Sequence, residues 1–266
     1  MELQATDLVV EAHDLLVRRG SRTVINGLSL SLPRGVIMGL IGPNGAGKTS
    51  LVSAICGFVK PAAGTISVLG ADMGKIASAD LARLRRRIGL LPQLSEINEL
   101  APLTVRDVVA IGRAGISGPG RRLAPTDREA VSDALSVFGL LDLADKIYHQ
   151  LSGGEKRKVH LARAFAQGPE LLLLDEPMAN LDVTWQERLR QEIDRLWDRT
   201  GMTIIMVAHE THHLPESCAR IALLSQGQLI ADGTPEQVLQ DAILAKAYGS
   251  GIKVLHHLGR TYSLGG

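Results

Sequence analysis

Gly42-Pro43-Asn44-Gly45-Ala46-Gly47-Lys48-Thr49 follows the spacing GxxxxGK[ST] in full. Glycines at these positions let the backbone fold closely around an anion, with successive amides and the positive end of the following helix turned toward it. Lys48 adds a charge long enough to reach the β- and γ-phosphates, and the Thr49 hydroxyl offers a hard oxygen ligand to Mg²⁺. With Ser50, the segment reads as a polyphosphate cradle. A chance glycine-rich turn would need neither an apolar strand before it nor a helical pattern after it, and this one has both.

A second group lies in Leu171-Leu172-Leu173-Leu174-Asp175-Glu176-Pro177. The carboxyl end of a buried strand is where ligands bind in open α/β sheets. Asp175 there suits Mg²⁺, directly or through water, and Glu176 suits the polarisation of an attacking water. Alone, an Asp-Glu pair reads first as a cap on a strand-to-loop turn; beside the phosphate cradle it reads as catalytic. A third group, Ser152-Gly153-Gly154-Glu155, stands before a helix expected over Lys156–Gln167. It makes a second anion-binding helix start, or more plainly a flexible cap. Two phosphate loops in one chain are most simply explained by one nucleotide shared between two copies, each supplying opposite halves.

These groups need a frame. Leu28, Leu30 and Leu32 alternate on one face of Thr23–Leu32, an antiparallel strand pattern. The apolar runs Val36–Ile41 and Thr203–Val207, and Leu171–Asp175 with its terminal carboxylate, read as strands buried on both faces. Leu51, Val52, Ile55 and Cys56 mark a helix after the cradle. Leu81, Leu84 and Ile88 mark another, carrying Arg83, Arg85, Arg86 and Arg87, and Ile88–Leu91 is a short strand. Thr104 caps a helix to Arg113, with Asp107 as its capping-box partner. Gly115–Pro125 reads as an exposed loop, Thr126–Glu129 opens a helix, and Thr184–Arg199 is amphipathic. Ser225-Gln226-Gly227 joins Ile221–Leu224 to Gln228–Ala231 as a hairpin. The expected fold class is α/β, a mainly parallel sheet core with an N-terminal antiparallel β portion and an inserted helical subdomain. Residues 1–92 and 152–240 form the core, 93–151 the subdomain and 241–266 a short C-terminal tail.

Composition narrows the class. The 266 residues carry 29 basic and 28 acidic side chains, a net charge of +1, which gives no electrostatic footprint for nucleic acid. Val36–Pro43, among the longest uncharged apolar runs, falls well short of the roughly 20 residues of a spanning helix. The acidic start of the chain has no secretory n-region. The two cysteines, Cys56 and Cys218, have no metal-binding spacing and read as small buried hydrophobes. His212-His213 and His256-His257 read as surface polar pairs rather than metal ligands, because neighbours on a helix face different ways. The Arg83–Arg87 cluster reads as a solvated face.

Taken together, these motifs resemble those of ABC transporter ATP-binding subunits over essentially the whole chain. GPNGAGKTS resembles the Walker A loop, LSGGEKRKV the ABC signature and LLLLDEP the Walker B strand with its catalytic glutamate. Gln93 in LLPQ resembles the Q-loop glutamine, Ala179-Asn180-Leu181-Asp182 the D-loop, and His209 after TIIMVA the switch histidine. The resemblance implies a P-loop NTPase fold of ABC type and a head-to-tail homodimer that hydrolyses Mg-ATP. Gly42–Ser50 and Asp175 of one copy would face Ser152, Gly153, Gly154 and Glu155 of the other. It further implies that Thr49, Gln93 and Asp175 serve Mg²⁺, that Glu176, His209 and Gln93 are catalytic, and that Asp182 crosses the dimer interface.

Partners implied are an integral-membrane permease and, indirectly, an extracytoplasmic substrate-binding protein. The implied location is the cytoplasmic face of a bacterial or archaeal inner membrane. The aromatic residue that usually stacks on adenine in this family falls here on Arg19, whose guanidinium plane can also stack on a base. Glu155 replaces the more usual Gln, and Met178 follows Pro177. Too few residues follow Gly233–Leu239 for an extra regulatory domain. RIGLLPQ (87–93), LTVRDVV (103–109) with Gly112-Arg113, and Ala247-Tyr248-Gly249 are similar to importers of metal chelates (iron-siderophore, haem, cobalamin) or of zinc and manganese. Leu94, Glu96, Ile97 and Leu100 would receive a permease coupling helix. The alternatives are a soluble ABC-type ATPase with a regulatory role and an exporter subunit.

Overall fold

In the computed structural model, residues 8–93, 101–118, 121–249, 251–257 and 260–264 are described. β1 (Leu8–Arg19) and β2 (Arg22–Pro33) pair antiparallel, Arg19 opposite Arg22, and their alternation of buried and exposed residues is broken where the register shifts, as between Ala12 and Leu15. β3 (Ile37–Ile41) is buried throughout and runs through the cradle into α1 (Lys48–Ile55). β4 (Ala63–Val68) and β5 (Ala71–Asp72) complete an antiparallel sheet of order β2-β1-β4-β5. Next come α2 (Ser78–Arg85), β6 (Ile88–Leu91), α3 (Val105–Ser117), α4 (Pro125–Val137) and α5 (Gly153–Ala166). The chain continues through β7 (Leu171–Asp175), α6 (Val183–Thr200), β8 (Thr203–Val207), β9 (Cys218–Ser225) and β10 (Gln228–Gly233). It ends in α7 (Pro235–Val238), α8 (Asp241–Tyr248) and the hairpin β11 (Lys253–His257) and β12 (Arg260–Leu264).

The central sheet has the order β10-β9-β3-β8-β7-β6. β9, β3, β8, β7 and β6 are parallel, and β10 closes one edge antiparallel through the Gln226-Gly227 turn. Both turn residues have positive φ, 50° and 80°, the backbone twist a two-residue hairpin favours. The sheet is buried on both faces, so successive residues of a strand enter different cores. Met38, Leu40, Leu173 and Ile205 meet Leu15, Leu28 and Ile55 beneath the antiparallel sheet. Ile37, Leu172, Leu174 and Met206 meet Val108, Phe138, Leu161 and Ile193 from the helices. This two-sided burial explains the unbroken apolar runs. Helix α5 packs against both α3 and α4. Among the described residues, no helix is long and apolar enough to cross a membrane.

Several boundaries differ from those expected from sequence. α3 runs to Ser117, into the expected loop, because its capping box at Thr104 and the Arg113–Asp127 pair fix both of its ends. Ile88 belongs to the strand alone, since α2 stops at Arg85. α5 starts at Gly153 rather than Lys156, because Ser152 and Glu155 cap it reciprocally. The C-terminal tail contains α8 and a β hairpin.

Candidate nucleotide site

Strand order assembles the site. β3, β8, β7 and β6 lie side by side and parallel, so the cradle after β3, His209 after β8, Asp175 ending β7 with Glu176 after it, and Gln93 after β6 share the carboxyl end of the sheet. Pro43 to Ser50, Gln93, Glu176 and His209 line a cleft of about 880 Å³ together with Arg19, Arg22, Val24 and the Gln226 turn, and Asp175 lies buried beside it. The cradle needs its glycines: a Cβ on Gly42 (φ 146°) would lie 2.1 Å from Leu224 O, and one on Gly47 (φ 107°) 2.7 Å from Val24 O.

Lys48 is buried, and its Nζ donates to Gly42 O at 2.7 Å and Pro43 O at 3.1 Å. Burial holds its ammonium below the ordinary lysine range, opposed by the nearby Glu176 and Asp175 charges. Asp175 is 4% exposed. Burial, then the neighbouring Glu176 charge, raise its carboxyl above the usual range, while a bond from the Thr49 hydroxyl and the Lys48 charge pull it down. Asp175 Oδ1 is buried with no hydrogen-bond partner among the described residues. A buried carboxylate oxygen left over beside a threonine hydroxyl is a donor set that fits a hard, oxygen-seeking dication.

Glu176 is held from both sides. Gln93 Nε2 donates to its Oε2 at 2.6 Å, and His209 Nε2 lies 2.5 Å from its Oε1. Its φ of 51° is left-handed, a strain of about 1–3 kcal/mol that the surrounding structure must offset. The expected trio of Glu176, His209 and Gln93 is therefore brought together, although the Gln93 amide engages the glutamate.

Arg157 has a role in the site that the sequence motifs do not announce. Its guanidinium is buried on main-chain carbonyls: Nε donates to Pro177 O at 2.8 Å and Nη2 to Glu176 O at 2.7 Å and Asp175 O at 3.4 Å. Nη1 donates to Pro92 O and Gln93 O, both at 3.3 Å. Burial lowers its pKa from the ordinary arginine value, opposed by the Asp175 and Glu176 charges. Helical spacing carried the signal: Gly154, Arg157, Leu161 and Ala164 fall on one buried face of α5.

The signature segment lies outside this cleft. Ser152 N and Oγ donate to Glu155 Oε2 at 2.8 and 2.7 Å, so the capping box occupies the Ser152 amide. Those bonds hold the Glu155 carboxyl below the usual range. Gly154 lies against Trp185, where a Cβ would come within 2.1 Å of the indole, whereas a Cβ on Gly153 meets nothing within 4 Å. Asp182 Oδ1 caps α6, accepting from Trp185 N at 2.9 Å. Arg19 reaches the cleft rim with Nη2 donating to Ser53 Oγ at 3.1 Å, and among the described residues no Phe, Tyr or Trp lines the cleft. His212 and His213, expected to face apart, are brought together by a 3₁₀ turn with ring centroids 4.5 Å apart. Leu94, Glu96, Ile97 and Leu100 lie outside the described residues, as do the side chains of His256 and His257.

A phosphate cradle, a buried aspartate, and a glutamate held by glutamine and histidine define a P-loop nucleotide hydrolase. Residues 25–179 match the family described as ABC transporter. The hemin import ATP-binding protein HmuV of Bordetella avium is 36% identical over 94% of this chain and 95% of its own. The iron(3+)-hydroxamate import ATP-binding protein FhuC of Bacillus subtilis is 35% identical over 90% of this chain and 87% of its own. Among solved structures, cbiO1 of Clostridium perfringens, part of the ABC transporter complex cbiONQ, superposes with a TM-score of 0.79. It is 26% identical and covers 90% of this chain and 94% of its own. The chain belongs to the ABC transporter family, as an ATP-binding and ATP-hydrolysing subunit.

Proposed function

We propose that the chain is the ATPase of an importer for a metal chelate of the haem or iron-siderophore class, working as a head-to-tail homodimer beneath a separate permease. The observation that carries the dimeric reading is that the cleft holds the phosphate cradle and Glu176, while Ser152-Gly153-Gly154 begins a helix outside it. A second copy facing the first would bring its signature segment to the nucleotide. The chelate reading rests on relatives over 90% or more of this chain whose names are hemin and iron-hydroxamate import proteins.

In the site, Lys48 and the cradle amides would bind the β- and γ-phosphates. Thr49 and Asp175 would hold Mg²⁺, which when bound neutralises phosphate charge; Gln93 would add a ligand as it leaves Glu176. Glu176 would accept the proton of the attacking water, and His209 would pass from the glutamate to the γ-phosphate. Asp182 would lie at the dimer interface. Residues 93–151, with helices α3 and α4, would move with Gln93 as the permease-facing subdomain. A groove lined by Phe58, Leu90 and Ile111, the first 59% and the last 46% exposed, supports permease docking there. The place of action would be the cytoplasmic face of the membrane, with a substrate-binding protein on the far side.

The test is reconstitution with the genomically adjacent permease in proteoliposomes. ATP-dependent accumulation of haem or a ferric chelate is expected; ATP-driven efflux, or uptake independent of this subunit, would overturn the reading.

A further inference from the structure

The connection from β8 to β9 carries more than His209. Glu210, His212 and His213 follow within four residues, and the 3₁₀ turn Thr211–His213 gathers them. The two imidazoles stand with centroids 4.5 Å apart, and Glu210 Oε2 lies 3.3 Å from His212 Nδ1. One ligand atom from each of the three lies within 4.8 Å of the others. A dication bound to imidazole nitrogen and carboxylate oxygen at about 2.0–2.2 Å needs its ligand atoms about 3.3 Å apart. The cluster therefore needs a contraction of at most about 1.5 Å, within reach of side-chain rotation. Both histidines are partly buried and Glu210 is exposed, which leaves an entry path from solvent. Glu210 and His213 also line a recess of about 230 Å³ shared with Glu176, Asn180, Gln186 and His209, with room for waters to complete a coordination shell.

We propose that Glu210, His212 and His213 form a site for a borderline transition dication such as Zn²⁺ or Fe²⁺. Two imidazoles and one carboxylate suit such ions, whereas Mg²⁺ prefers all-oxygen sites. The site is thus chemically distinct from the Thr49–Asp175 oxygen pair. It also lies on the same connection as the histidine that contacts Glu176.

The test is calorimetric titration of Zn²⁺ into the full, untagged chain in excess Mg²⁺, repeated with Co²⁺ to read the visible absorption of a nitrogen-ligated centre. One tight equivalent is expected. The double variant His212→Ala/His213→Ala should weaken binding by about 100-fold or more and abolish the Co²⁺ band, since even outer-shell partners are worth 10–100-fold. Glu210→Gln should weaken it as well, and serves if the double variant does not fold. His256→Ala/His257→Ala should retain the equivalent. Absence of a tight equivalent in the native chain, or its retention in the double variant, would overturn the proposal.

Discussion

The Arg157 guanidinium donates to the main-chain carbonyl of Glu176 at 2.7 Å and, through its other nitrogen, to the carbonyl of Gln93 at 3.3 Å. One side chain on the signature helix thus fixes the backbone on both sides of the glutamate–glutamine contact. Its donors meet carbonyls rather than carboxylates, so it sets backbone position directly and acts on Asp175 and Glu176 only through space. Arg157→Lys keeps the charge but loses the planar fork. It should lower kcat by about 10- to 100-fold, the effect of a small misplacement at a reacting centre, with a much smaller change in the KM for ATP. Steady-state kinetics separates the two; an equal fall in affinity would assign Arg157 to nucleotide binding instead.

Glu176→Gln preserves the shape and the contact with Gln93 while removing the base. Hydrolysis should fall by about 10²- to 10⁴-fold with ATP binding intact. The unhydrolysed nucleotide should then accumulate a dimer, read by sedimentation with and without ATP. A chain that stays monomeric at high concentration with ATP bound would count against the shared-nucleotide arrangement.

The two signature glycines should differ. Gly153→Ala meets open space at the first turn of α5 and should fold as the native chain does. Gly154→Ala must displace the Trp185 indole and should cost about 1–3 kcal/mol, the usual range for overpacking. Denaturant unfolding gives the stability, and tryptophan emission reports the displaced ring. Trp185→Ala in the same chain should restore part of the loss.

His160 gives a pH dependence with a definite sign. Its ring is buried, with Nε2 2.7 Å from the Tyr148 hydroxyl, and burial followed by the Arg163 and Arg157 charges pushes its pKa down to about 3. The unfolded chain takes up this proton near pH 6.5, the folded chain only near pH 3, so stability falls with falling pH across that window. The contribution is about 1.4 kcal/mol per pH unit. Urea unfolding between pH 6 and pH 4 should show a steeper fall for the native chain than for His160→Gln; parallel curves would mean that His160 already titrates in the fold.

Much of this molecule is legible in one dimension because its chemistry is local. The phosphate-cradle spacing of Gly42–Thr49 and the two carboxylates at the end of the apolar run 171–174 are recognisable from residue type and spacing alone. The strands Ile88–Leu91, Leu171–Asp175 and Thr203–Val207 have the expected bounds, because two-sided burial demands an unbroken apolar run. Tertiary structure decided what depends on strand order. Only the adjacency of β6, β7 and β8 sets Glu176 between Gln93 and His209, which are far apart in the chain. Only packing turns Arg157 from one of three successive cations into the clamp on the catalytic turn, and only the 3₁₀ turn at Thr211 brings two adjacent imidazoles into contact, their planes tilted by 59°. Local backbone preference can be read from a few residues, whereas contacts between distant segments are chosen by how the layers bury their apolar faces.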